Sequence, residues 1–203
     1  DSLSIVAGQM WFLHIVNRMG DLAASAHGIA LVWEALGYLS GHAFGTAAMT
    51  LVGQNLGAKQ PLQAARAGWT AFALGCGVMT MMGGFFMALA PAMFWLYCQD
   101  PGQAPVAAAG VPVLRLIAFA MPALASTMVF TAALRGAGDT RVPVLFTWVG
   151  FLTVRIPLAY LLTEPELGLG LFGAWLAMTA DLYVRGAFFW WRFASGKWQF
   201  ARV

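Results

Sequence analysis

Glu34, Arg115, Arg155, Asp181 and Arg185 each interrupt an otherwise apolar run of the chain. A charged side chain set in hydrocarbon costs roughly 2.5–3.5 kcal/mol on insertion scales, so each needs a partner of opposite sign or access to water. At 1.5 Å per helical residue, Glu34 lies about 18 Å from the outer end of its helix, Arg115 about 17 Å, Asp181 about 15 Å and Arg155 about 12 Å. That common layer predicts that Glu34 and Asp181 pair with Arg115 and Arg155 across helices. Two roles suit such a layer: a proton or ion relay lining a cavity, or ion pairs that fix helix packing. Arg155, beside Pro157, reads more as packing; for Glu34 and Asp181 both roles stay open. Arg185 either snorkels toward the nearer membrane face or pairs with Asp181 one turn away.

Other chemistry is thin. His14, His27 and His42 stand too far apart, with no His-Glu-x-x-His pattern and no neighbouring Asp or Cys, to read as a metal or catalytic set. They read as packing or pore-lining residues. Cys76 and Cys98 lie in or beside apolar runs without ligand spacing and read as packed thiols. No phosphate-cradling loop or Ser/His/Asp arrangement occurs, so the expectation is a protein with no cofactor and no metal that is not an enzyme. Ser126 and Thr127 are expected to satisfy carbonyls freed by Pro122. Met79, Met81 and Met82 are candidates for an adaptable substrate wall.

The elements that must hold these residues are membrane helices. Of 203 residues, 61% are hydrophobic and only 9% charged, against about 25% charged in a soluble domain. Too few polar side chains remain to coat a water-soluble surface. Basic residues punctuate apolar runs rather than cluster with exposed aromatics, which argues against nucleic acid.

Six helical spans are predicted, at about 3–16, 22–56, 62–97, 104–134, 142–162 and 171–194. The first is about 21 Å long against a hydrocarbon core of about 30 Å, so it reads as truncated. Asp21 is expected at the N-cap of the second span. Gly37, Gly41 and Gly45 recur every four residues and form a ridge without side chains, where a neighbouring backbone packs closely. Pro122 and Pro157 sit inside spans and are predicted kinks, and hence pivots.

Alternating spans collect Lys59, Arg66, Arg135, Arg141, Arg192, Lys197 and Arg202 on one face, and Arg18, Asp21, Asp100, Glu164 and Glu166 on the other. The positive-inside rule places the first face and the C-terminus in the cytoplasm. Trp190, Trp191 and Trp198 fall where an interfacial aromatic belt belongs. The chain reads as one membrane unit, 1–203, opening at Asp1 as if cut from a longer polypeptide.

Three stretches together resemble the multidrug and toxic compound extrusion (MATE) family: AFGTAAMTLVGQNLGA at 43–58, LRGAGDTRVP at 134–143, and RIPLAY at 155–160 followed by Gly173-Ala174-Trp175. Members of that family carry two six-helix lobes, and the likeness, over essentially the whole chain, is to the C-terminal lobe. The resemblance implies a secondary antiporter in the cell membrane that exports cationic or amphiphilic drug-like compounds against protons or sodium ions. The lobes would rock about a central cleft, the N-terminal lobe of the same polypeptide being this lobe's partner. The sodium-coupled branch places carboxylates in the first and fourth helices of this lobe. Here 3–16 and 121–134 contain no Asp or Glu, so the likeness is to branches whose coupling acids lie in the other lobe. His27, in Ala26-His27-Gly28, matches a family Ala-His position and implies a polar substrate contact. A lipid-linked saccharide flippase of the same superfamily and an intramembrane enzyme are the alternatives. The first needs a strongly basic cavity, for which only Arg115 and Arg155 are in view. The second predicts turnover of a lipid without any ion gradient.

Overall fold

The computed structural model describes residues 2–164 and 167–200; Glu166 and Arg202, counted among the flanking charges, lie outside them. The helices are α1 (Ser2–Asn17), α2 (Asp21–Gly57), α3 (Pro61–Trp95), α4 (Ala104–Gly136), α5 (Arg141–Val149), α6 (Ile156–Leu162) and α7 (Gly170–Ala194). A π-helical stretch, Gly150–Arg155, joins α5 and α6 into a single span. Among the described residues there is no β-strand. The runs Asp21–Gly57, Pro61–Trp95, Pro101–Gly136 and Arg141–Leu162 are long and apolar enough to cross a membrane. With 25 residues, α7 is about 37 Å long but carries Asp181 and Arg185 inside it. The chain is a polytopic membrane helix bundle.

The bundle is organised around α4, whose span is 72% buried, against 22–33% for the other three. Its partner along most of its length is the small-residue stripe of α2. Gly37, Gly41 and Gly45 are buried there, continued by Ala30 on one side and Ala48 and Val52 on the other. A methyl group at Gly37 would overlap the Met121 sulfur, one at Gly41 the Met128 sulfur, and one at Gly45 would press on Ala132. At the far end Gly136 lies directly on the Met49 backbone. Backbones this close gain dispersion contacts that lipid tails do not supply.

Two turns on the same side close alike. After α2, Lys59 N–H donates to Leu56 O (2.9 Å) and Gln60 N–H to Asn55 O (2.8 Å). After α4, Gly138 N–H donates to Arg135 O (3.0 Å) and Asp139 N–H to Leu134 O (2.9 Å). Both are Schellman caps, which need a left-handed residue at their centre. Gly138 supplies it at φ 84°; in the first turn Lys59, not a glycine, adopts φ 59°. Asp21 is the first residue of α2 rather than its cap, because Gly20, at φ 94°, takes the capping position. The Asp21 carboxylate still sits in the first turn, where the helix dipole favours it.

The two prolines are accommodated differently. Pro122 leaves the Ala118 carbonyl without its helical donor, and α4 stays α-helical. Ser126 and Thr127 do not repair this. Ser126 Oγ donates to Gly186 O on α7 (2.8 Å) and Thr127 Oγ1 to Leu124 O (2.8 Å). A side chain that bonds back along a helix reaches three or four residues, which from 126 or 127 falls short of 118. Instead the Ala118 carbonyl sits over Gly83 of α3, and Tyr183 of α7 donates to the neighbouring Phe119 O (2.7 Å). At Pro157 the helix widens: Ile156 N–H reaches Phe151 O, five residues back.

The C-terminal turn departs from expectation as well. Trp190 and Trp191 are exposed, but Trp198 is fully buried, stacked on Phe193 (4.7 Å between rings) and donating to its carbonyl (2.8 Å). A left-handed Gly196 folds the chain back and carries this indole into the core instead of an interfacial belt.

Candidate functional site

A buried polar layer forms where the π stretch meets α1, α2 and α7. The wider π turn presents Phe151 and Arg155 inward, both buried. Phe151 stands between two cations, with the Arg155 and Arg185 guanidinium carbons each 4.9 Å from its ring centre. The Phe12 ring of α1 also packs on Arg155, at 4.7 Å. Contacts of this kind are worth about 0.5–2 kcal/mol, more when desolvated. Gly8 lets α1 approach the Phe151 ring, and Gly150 leaves room for the Arg185 stem and the Asp181 carboxylate.

Asp181 is held by its own helix. Arg185 Nε donates to Asp181 Oδ1 (2.8 Å) and Nη2 to Oδ2 (2.6 Å), a two-pronged pair one turn apart with Asp181 wholly buried. The expected cross-helix pairing is therefore corrected. Among the described residues no ion pair joins Glu34 or Asp181 to Arg115 or Arg155. Arg115 is exposed on the bundle's outer surface and belongs to no such layer. Depth along an axis places a residue at a height but not on a face, and α4 turns Val113, Leu114 and Ile117 inward instead.

Glu34, Arg155, Asp181 and Arg185 nonetheless share one neighbourhood, since Arg155 interacts electrostatically with both carboxylates. Glu34 is buried in the α2 stripe and makes no hydrogen bond or ion pair with the described residues. His27, two turns nearer the start of α2, packs against Trp175 (5.4 Å between rings) and Phe12 (5.8 Å). His27 Nδ1, Trp175 Nε1, Arg155 Nε and Arg155 Nη2 are all buried without hydrogen-bond partners among the described residues. Unmatched buried groups are rare, and several around one aromatic ring mark a place for water or a ligand.

Below this layer lies a cavity of about 320 Å³, within the range of about 300–1,000 Å³ usual for small-molecule sites. It occupies the half of the bundle toward the C-terminal ends of α2, α4 and α7. Its walls are apolar at Met49, Leu124, Met128, Leu182 and Phe189, and polar at Gln9, Tyr38, His42, Thr46, Thr127, Thr131 and Thr147. Arg135, Arg155 and Arg185 also line it, with no Asp or Glu among the described residues. Of the three methionines suggested for a substrate wall none is here: Met79 is core and Met81 faces outward. Among the described residues no His/Cys/Asp/Glu group is arranged to hold a metal ion.

The family model described as MatE matches residues 2–161. The chain belongs to the MatE family. Members are transporters, not enzymes. A probable multidrug resistance protein NorM of Brucella suis biovar 1 is 35% identical over 171 residues, covering 83% of this chain and 36% of the relative. The NorM of Thermotoga maritima is 30% identical over 195 residues, covering 95% and 40% respectively. The fold is that of the solved MATE transporter ClbM in complex with Rb⁺, with TM-score 0.82 at 21% identity, over 98% of this chain and 46% of that one. This MatE chain thus spans less than half the length of the relatives it matches.

The sequence reading missed several members of the site. Phe12 and Phe151 looked like ordinary apolar residues, and only their spacing from Arg155 and Arg185 in space gives them a role. Asp139, inside the Leu134–Pro143 family motif, pairs with Arg192 of α7 (2.7 Å). A lone acid among the basic turns was the signal for that bridge.

Proposed function

We propose that this MatE chain works as one lobe of a secondary antiporter exporting small drug-like organic compounds, cationic and amphiphilic ones among them, in exchange for protons or sodium ions. The observation that carries the reading is a cavity of small-molecule size set against a buried charge layer in which Glu34 holds no ion pair. A buried carboxylate without a committed partner can take up and release a small cation, which coupling requires. The multidrug resistance names of the NorM relatives support the drug-like cargo.

In this reading Glu34 and the Asp181–Arg185 pair form the ion pathway, Arg155 faces the cavity of this lobe, and His27, packed on Phe12 and Trp175 outside the cavity lining, is a polar contact for cargo. Pro122 and Pro157 mark the places where the lobe bends between two access states. The N-terminal lobe of the same polypeptide supplies the opposite wall of the cleft. The basic turns at Lys59, Arg141 and Arg192 face the cytoplasm, and the C-terminus with them.

The test is efflux of ethidium from proteoliposomes holding the full-length protein, under a sodium gradient in one arm and a proton gradient in the other. Glu34→Gln is expected to lower gradient-driven efflux by about tenfold or more. Wild-type efflux in that variant removes Glu34 from the coupling path.

A further inference from the structure

We propose that the cavity of this lobe is an oxyanion site: it binds the carboxylate or phosphate group of an amphiphile, with Arg155 as the direct ligand. The proposal rests on the transporter reading only for what becomes of the ligand afterwards.

Among the described residues the lining carries the guanidinium groups of Arg135, Arg155 and Arg185 and no carboxylate side chain. Neither neighbouring acid lines the cavity: Glu34 is buried in the α2 stripe, and Asp181 is wholly buried with both oxygens taken by Arg185. Arg155 has no such partner. The Phe12 and Phe151 rings lie 4.7 and 4.9 Å from its guanidinium carbon, and two of its nitrogens find no acceptor among the described residues. Ring faces orient a guanidinium and leave its in-plane N–H groups unmatched. A planar fork of that kind is matched best by a two-oxygen anion, through paired charge-assisted hydrogen bonds. An ammonium group entering the same space would meet like charge and, among the described residues, no acid on the walls, so cationic cargo is assigned to the cleft against the other lobe and not to this cavity.

The rest of the lining fits the body of such a ligand. Leu124, Met128 and Phe189 offer apolar contact, while Thr127 and Thr147 already spend their hydroxyl protons on Leu124 O and Pro143 O. Those hydroxyls give little further selectivity, so the charge preference falls to the arginines. Two sources share the chemistry, a phosphate on a membrane lipid and an organic acid from solution.

The experiment uses probes with one aromatic body and different charge: naphthalene-1-acetate, 1-naphthyl phosphate, 1-naphthylmethylammonium and 1-naphthalenemethanol. Equilibrium binding is measured on the full-length protein in phosphatidylcholine nanodiscs, without any gradient. Both anions are expected to bind about tenfold or more tighter than the ammonium probe. Arg155→Gln should bring them down to the neutral alcohol, Arg155→Lys should keep part of the difference, and Arg115→Gln should change nothing. Equal or tighter ammonium binding overturns the proposal, as does an anion preference that survives Arg155→Gln. Should Arg155→Gln not yield monodisperse protein, Thr131→Trp, which fills the cavity, takes its place. Lost anion binding then supports the site and retained binding overturns it. Adding phosphatidate to the nanodisc separates the sources: competition with naphthyl phosphate points to lipid, its absence to a soluble acid, and both support an oxyanion site. Anion binding without efflux of any compound would count against the transporter reading alone. Efflux of cations without anion binding would count against this proposal alone.

Discussion

Both α4 and the α5–α6 span carry a proline partway along, yet one stays a regular helix and the other becomes a π turn. The difference lies in what surrounds each. Helices α2, α3 and α7 pack around α4 and hold it regular, leaving room for the carbonyl that Pro122 orphans without supplying it a donor. Gly83 makes space for the Ala118 carbonyl, and Tyr183 donates to Phe119 O. Pro157 is exposed, with no such enclosure. There the chain itself widens, and Ile156 N–H finds the Phe151 carbonyl one residue beyond the usual partner. Pro122 is thus accommodated by its neighbours and Pro157 by the backbone, while the exposed Pro91 and Pro112 leave α3 and α4 α-helical, so exposure alone does not make a π turn. Only the widening at Pro157 changes where the side chains ahead of the proline point, Arg155 among them.

The strongest challenge to this contrast is Gly83→Val. Its Cβ would meet the Ala118 carbonyl oxygen at 2.7 Å, and a carbonyl fixed by packing cannot retreat. We expect a loss of about 3 kcal/mol, read as a large fall in Tm of the detergent-solubilised protein. A Tm within a degree of wild type would mean α4 is looser than its burial suggests. Next in size is a paired comparison of Pro157→Ala with Pro122→Ala. Restoring an N–H at 157 allows the π turn to close to α and rotates Phe151 and Arg155 away from α1. Transport should fall severalfold with Tm unchanged or raised, whereas Pro122→Ala should alter transport less. Equal effects would place a pivot in both spans. The smallest is Tyr183→Phe, expected to cost about 1 kcal/mol of stability. No change in Tm would show that Phe119 O is satisfied by its own helix alone.

What was legible in the sequence follows the same division. Span positions could be read because apolar runs, glycines and prolines are local signals, and the small-residue ridge of α2 because its period is helical. Asp181 with Arg185 was open to reading as a spacing of four. The π stretch was not, since GFLTVR has the same hydropathy whether it winds with α or π geometry. Arg115 misled because height in a membrane can be counted from sequence, while azimuth depends on which face the neighbours cover. Trp198 misled for a related reason: its distance past α7 suggested an interface, but a left-handed glycine returned it to the core. The cavity was beyond reach, being enclosed by side chains from five elements that no single stretch of sequence brings together.

The bridge from Asp139 to Arg192 carries one more implication. It ties the loop ahead of α5 to the end of α7, so these two elements are braced at the basic end of the bundle. The π turn begins after only nine residues of α5, and α6 beyond it leans on α1 through Trp11 and Tyr160 (3.1 Å). A load applied at the tail of the chain would therefore pass into the brace, while displacement at the opposite end would be shared between α6 and α1. Cutting the brace with Asp139→Asn should let both ends move, turning a one-ended lever into a loose strut.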